Sequence, residues 1–208
     1  MIYAQNIFLC LMIPFLITVI FLRGDSRRFV VFLTMGIMIC LISSCIGAFL
    51  SMVGDIGDKD AAIYISPIVE EIMKFSPLLF YMLLFEPTNG QLIIMGMGIG
   101  AGFATFENSC YILTSGAENL SYILVRGMAV GVMHIISILI LIIGLMMIRY
   151  YKAESAAAAV GALSLSVTFH ALYNLLVSEP GLTTCLGYSL PLVSAGILYI
   201  PYRRILQR

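Results

Sequence analysis

Charge is what this sequence has least of. Only 11% of its 208 residues are charged, against 61% hydrophobic, and the mean hydropathy is +1.05. A soluble domain carries about a quarter charged residues, so lipid must solvate much of this surface. An excess of either sign is also missing, because 11 basic residues balance 11 acidic ones. A nucleic-acid binder needs a basic surface excess, which excludes nucleic acid as a partner. Histidine occurs only twice, at His134 and His170. There is no His-Glu-x-x-His zinc motif and no Gly-x-Ser-x-Gly nucleophile motif, so neither of those hydrolase signatures applies. The five cysteines are odd in number and lack metal-binding spacing. They read as packing residues and say nothing firm about redox compartment. The first apolar run lacks a basic leading segment and a small-residue cleavage site, so it reads as a retained span.

What is there is a series of seven apolar runs, at residues 3–22, 29–53, 63–85, 92–114, from 122–127 to 148, 155–177 and 185–202. Crossing the hydrocarbon core takes roughly 20 mostly apolar residues. Short connectors with turn residues separate the runs, among them Arg23-Gly-Asp-Ser and Glu86-Pro-Thr-Asn-Gly. No soluble domain or linker fits between them. The expectation is an all-α bundle of about seven spans in the cell membrane. It forms a single domain over 1–208 with a motif-bearing core at 63–177. Lys and Arg mark the cytoplasmic side. Arg23, Arg27, Arg28, Arg149, Lys152, Arg203, Arg204 and Arg208 then fall on one side and Lys59 on the other. That places the N-terminus outside and the C-terminus in the cytoplasm. Tyr150, Tyr151, Tyr199 and Tyr202 read as an interfacial belt, Arg126 as an anchor, and the Asp55, Asp58, Asp60 loop as solvated. Gly96, Gly98, Gly100 and Gly102 in the fourth run, and Ala156 to Ala159 with Gly161 in the sixth, let helices approach closely. These two spans are expected to be central.

Against this apolar background the polar residues inside the runs stand out. An ionisable residue at mid-membrane costs about 2.5–3.5 kcal/mol on insertion scales, so it faces the protein interior and usually has a task. The third run holds Glu70, Glu71 and Lys74, the fourth Glu107 and Asn108, the fifth His134, and the sixth His170 and Asn174. Lys74 follows Glu70 by four residues and Glu71 by three, so it can pair with either. The adjacent acids point about 100° apart on a helix, which suits them to different jobs. His170 and Asn174 share a face, as do Phe103 and Glu107. Glu70, Glu107 and His170 each lie seven residues from the outer end of their run, and His134 seven from Gly127. At 1.5 Å per residue all four sit about 10 Å deep. Acids and imidazoles from four helices would thus share one layer. Two chemistries fit such a set. A carboxylate can act as general base while His or Asn stabilises the oxyanion. Alternatively two histidines and a glutamate can hold a metal, with His134, His170 and Glu71 as the candidate ligands.

These residues also carry a resemblance. Glu70-Glu71-Ile-Met-Lys74 matches E-E-x-x-K, and Gly102-Phe103-Ala-Thr-Phe-Glu107-Asn108 matches G-F-A-x-x-E-N. His134 follows, and His170-Ala-Leu-Tyr-Asn174 is similar to an H-x-x-x-[DN] ending. In order and spacing they resemble the PrsW family of intramembrane proteases, distant relatives of the CAAX-processing membrane proteases. The resemblance implies a site-1-type cut in a single-span anti-sigma factor on its extracytoplasmic side. It places Glu70, Glu71 and His170 at catalytic positions, with Glu107, His134 and Asn174 at the other polar motif positions. Lys74, Asn108 and Phe103 would support them, and a divalent metal such as zinc is a possible cofactor. Asn174 departs from the Asp frequent in the close family, and it cannot serve as a base or an anionic ligand. Glu71 or Glu70 is the expected base, and Asn174 is expected to orient His170. Two rival classes remain: a proton-coupled transporter or channel, since buried Glu, His and Lys also make proton relays, and an inactive binding or immunity protein on the same fold.

Overall fold

A computed structural model of the chain describes residues 2–115, 120–150 and 155–206. All regular structure in them is helical. Seven long helices follow in order: α1 (Ile2–Phe21), α2 (Gly24–Gly54), α4 (Ser66–Phe85), α5 (Asn89–Ser115), α6 (Leu120–Tyr150), α7 (Ser155–Ser178) and α8 (Leu182–Leu206). A single helical turn, α3 (Asp58–Asp60), and a π-helical turn (Ala61–Ile65) lead into α4. Each expected apolar run becomes one long helix. Both α2 and α6 extend to 31 residues, past the ends of their apolar stretches, because backbone hydrogen bonding continues after hydrophobicity stops. Four helices, α1, α2, α6 and α7, are long and apolar enough to cross a membrane. Helix α4 is not one of them, as it carries Glu70, Glu71 and Lys74, and in α5 glycines, Glu107 and Asn108 dilute the apolar content.

The third run begins differently from the sequence expectation. Its first residues wind as the wide π turn rather than as α-helix. Pro67 sits in the first turn of α4, where its missing N–H costs least. The next bond of the wider turn would run from Pro67 to the Ala62 carbonyl, and that carbonyl accepts from the Asn174 amide instead.

Helices α2 and α5 pack most closely. A Cβ on Gly102 would overlap the Leu33 carbonyl oxygen, and one on Gly36 would overlap the Ile99 carbonyl. Only glycine allows backbones this near. Ile37, Leu78, Ile99, Phe103 and Leu141 fill the core around this pair. The central position expected of the Gly-rich run is therefore observed for α5. Helix α7 is less enclosed than expected. Val160 is exposed and Gly161 has open space beside it, because its small residues meet α6 along one face, where Ala158 and Ala162 approach Gly144. What α7 buries is one stripe: Ser166, His170 and Tyr173.

The cysteines are all free thiols, and the packing role expected of them holds for buried Cys40 but not for Cys10, Cys45 and Cys185, which are exposed on the outer faces of their helices. Tyr150 and Tyr199 are exposed at helix ends. Tyr151, Lys152 and the side chains of Tyr202, Arg203, Arg204 and Arg208 fall outside the described residues.

Candidate active site

The polar residues of four helices converge. Helix α4 brings Glu70, Glu71 and Lys74, α5 brings Glu107, α6 brings His134, and α7 brings His170. The inner half of the cluster is sealed. Glu71 and Lys74 are both 0% exposed and pair at 2.8 Å, as their i,i+3 spacing allows. The other partners of Glu71 come from α7. The Ser166 hydroxyl donates to Oε2 at 2.8 Å, and His170 Nδ1 lies 2.8 Å from Oε1. A carboxylate only accepts, so His170 carries its proton on Nδ1 toward Glu71.

The same logic orients His134. Lys74 Nζ lies 2.8 Å from His134 Nδ1. An ammonium has donors only, so Nδ1 is the acceptor and Nε2 bears the proton. Nε2–H then donates to Glu107 Oε2 at 2.5 Å. Phe103 closes the floor, with Lys74 Nζ 4.1 Å from its ring centroid and the His134 ring 4.7 Å away. On the far side of Glu107, Arg126 reaches Oε1 at 3.5 Å and donates to Asn108 Oδ1 at 2.5 Å.

The outer half is open. Glu70 turns away from Glu71, and its Oε2 is buried without a hydrogen-bond partner. The nearest ring nitrogen is His170 Nε2, at 3.8 Å. With its proton on Nδ1, His170 presents a lone pair there. Two acceptors thus face each other across a gap, an arrangement that calls for a donor or a cation between them. Glu70 also lines a cavity of about 570 Å³ between α2 and the 58–66 segment, whose walls include Ser44, Ser51, Asp55, Asp58 and Ser66. This cavity connects the site to the loop end of the bundle.

One carboxylate oxygen of Glu70 and one nitrogen each from His134 and His170 lie within 4.8 Å of one another. Two histidines and a glutamate form a donor set that suits zinc. The orphaned Glu70 oxygen and the bare His170 Nε2 fit a cation, and the Glu71 carboxylate behind His170 supplies the outer support such ligands need. Geometry therefore brings Glu70 into the possible ligand set where sequence spacing suggested Glu71, whose two oxygens are taken by Lys74, His170 and Ser166.

Other expectations also shift in detail. Asn174 does not meet His170 through any described hydrogen bond. Its amide donates to the Ala62 carbonyl at 2.9 Å, tying α7 to the π turn, whose backbone offers carbonyls outside the α ladder. Asn108 supports the cluster through Arg126, and Arg126 is not only an anchor. Ser166 was not singled out in the sequence, although it lies four residues before His170 on the same face. That spacing was the available signal, but serine is common in these helices and the partner on α4 is remote in sequence.

No curated protein and no solved structure matched the chain. A scan against protein families did give a match, to the PrsW family intramembrane metalloprotease, over residues 27–200. The match spans most of the chain and all four motif-bearing helices, and it agrees with the convergence of Glu and His side chains inside a helical bundle. On these grounds the chain belongs to the PrsW family of intramembrane metalloproteases, as a multi-pass integral membrane protein.

Proposed function

We propose that Glu70, His134 and His170 form the edge that readies water to hydrolyse a peptide bond in a membrane-anchored substrate. The observation that carries this reading is the unpartnered Glu70 Oε2 facing His170 Nε2 at 3.8 Å beside a polar cavity. Glu70 Oε2 and His170 Nε2 would hold a divalent metal such as zinc, and His134 would join them by exchanging its Lys74 contact for the metal. Such a metal would supply a lowered pKa for bound water and polarisation of the scissile carbonyl. Glu71 fixes the His170 tautomer so that Nε2 points outward. Lys74 balances the Glu71 charge, and Ser166 occupies its second oxygen. Glu107 holds the His134 ring from the opposite side. The cavity along α2 admits water and the substrate segment to Glu70.

A second reading rests on its own observation. Both ring nitrogens of His134 already have partners, which favours a metal-free site. In that case Glu70 takes the water proton directly as general base, and His170, protonated on Nε2 as well as Nδ1, donates to the developing oxyanion. Metal content of the purified active protein decides between the two. Activity that survives exhaustive chelation supports the direct mechanism.

The substrate is a membrane protein, and we assign it as a single-span anti-sigma factor cut on its extracytoplasmic side. This follows the family resemblance together with the positive-inside reading, which assigns Arg23, Arg27, Arg28 and Arg149 to the cytoplasmic side. Co-expression with candidate anti-sigma factors tests the assignment. Wild type should yield a truncated product and Glu70→Gln should not. Equal truncation by both would refute the role given to Glu70.

A further inference from the structure

We infer that Arg126 is a positioning residue of this site, acting through Glu107 to set the tautomer and orientation of His134. The sequence places Arg126 near the start of α6, where a membrane-interface anchor is the ordinary reading. Its surroundings do not fit an anchor. The side chain is only 13% exposed and lies among polar groups of α5. One guanidinium nitrogen donates to Asn108 Oδ1 at 2.5 Å and another faces Glu107 Oε1 at 3.5 Å. The plane stacks on the Tyr111 ring at 3.5 Å from its centroid. Tyr111 is itself tied to Tyr122 of α6 through a 2.8 Å contact between hydroxyls. A planar fork held on an aromatic face, with two acceptors in its plane, is a geometry that lysine cannot reproduce.

The consequence reaches the site through one shared carboxylate. Glu107 is 33% exposed on its side chain and flanks the cluster from α5. Without a cation on Oε1, the His134 contact at Oε2 is the one described bond left to orient the carboxylate. Arg126 draws one oxygen outward and leaves Oε2 to accept from His134 Nε2–H. That contact, with Lys74 donating to Nδ1, sets the ring. Chains of this kind, a residue orienting the residue that orients a histidine, are the usual means of holding an imidazole in one tautomer. Arg126 touches none of Glu70, His134 and His170 in the described contacts, so its role is indirect.

The inference rests on the site geometry used for the proposed function, but its test needs no substrate. The chain has only two histidines, so ¹⁵N-histidine labelling of the full-length protein in detergent micelles gives two imidazoles. In the wild type each shows one protonated and one bare ring nitrogen. In Arg126→Gln the His134 signals should move toward mixed tautomers while those of His170 hold. Arg126→Lys keeps the charge but loses the fork, and should shift His134 by less. If Arg126→Gln does not fold, Asn108→Ala, which removes the other acceptor of the fork, should produce the same selective shift at smaller size. Unchanged His134 signals in a folded variant, or equal movement of both histidines, would overturn the inference. Failure of the wild type to cleave any substrate would count against the proposed function while leaving this readout intact.

Discussion

Glu70 and Glu71 are neighbours in the chain and opposites in setting. Glu71 is fully enclosed, with a lysine, a serine and a histidine on its two oxygens. Glu70, a rotation of about 100° away on the helix, has an oxygen with no partner and a cavity beside it. One half of the cluster is saturated and dry; the other is unsatisfied and accessible. The difference teaches that a buried acid does not declare its role by depth alone. What separates support from chemistry here is whether the acceptor capacity is already used.

Substitutions at the two acids break the comparison most sharply. Glu70→Gln should lower cleavage by about 10²–10⁴-fold, the range for a general acid–base group, with unfolding in detergent unchanged. Should Glu70→Gln cleave like wild type, the open half is not the chemical half. Lys74→Ala tests the sealed half. It strands the Glu71 carboxylate, and breaking a buried pair costs about 3–5 kcal/mol. Denaturant titration of the purified protein should show that loss directly; an unchanged midpoint would mean Glu71 is not held as described.

Smaller effects sharpen the boundary between the halves. Gly102→Ala drives a methyl group into the Leu33 carbonyl, and overpacking of this kind costs about 1–3 kcal/mol, measurable as a lowered thermal midpoint. Ser166→Ala leaves Glu71 Oε2 one donor short, a loss of about 1–3 kcal/mol. It should also weaken zinc binding in a chelator competition, because Glu71 orients His170. Loss of stability without loss of metal affinity would confine Ser166 to packing. At the periphery, Lys59 and Glu179 pair at 2.6 Å in the open, and this contact with Glu179 holds the Lys59 ammonium above its ordinary pKa. A raised lysine contributes fully below the unfolded value of about 10.4 and loses its contribution as pH rises through the higher folded value. Lys59→Met should therefore cost a small loss of stability that is constant from pH 5 to about 9 and fades as pH rises through the folded value; a loss that varies with pH inside that range would contradict the assignment.

The helices and the motif residues were legible because membranes make both conspicuous. Apolar runs near 20 residues announce helices, and Glu70, Glu71, His134 and His170 stand out wherever lipid is the solvent. Counting along each run put Glu70, Glu107, His134 and His170 in one layer, and the structure brings these side chains together. The division of labour between Glu70 and Glu71 was not legible, since it depends on which face of α4 meets α7. Ser166 and Arg126 were missed or read as ordinary because their meaning lies in partners on other helices. The π turn at residues 61–65 left no periodic signature, and Asn174 took a backbone carbonyl there in place of the histidine one turn away.

The glycine-lined seam between α2 and α5 has a consequence for how a peptide reaches Glu70. Those two helices are locked backbone to backbone, and α2 forms a fixed wall on one side of the cavity. The opposite wall is the 58–66 segment, made of a lone turn, a π turn and the first residue of α4, and fastened to α7 by the Asn174–Ala62 hydrogen bond. On the function proposed above, any widening to admit an extended chain would fall to that fastened side, and the bond from the asparagine that cannot act as a base is the contact such widening would strain.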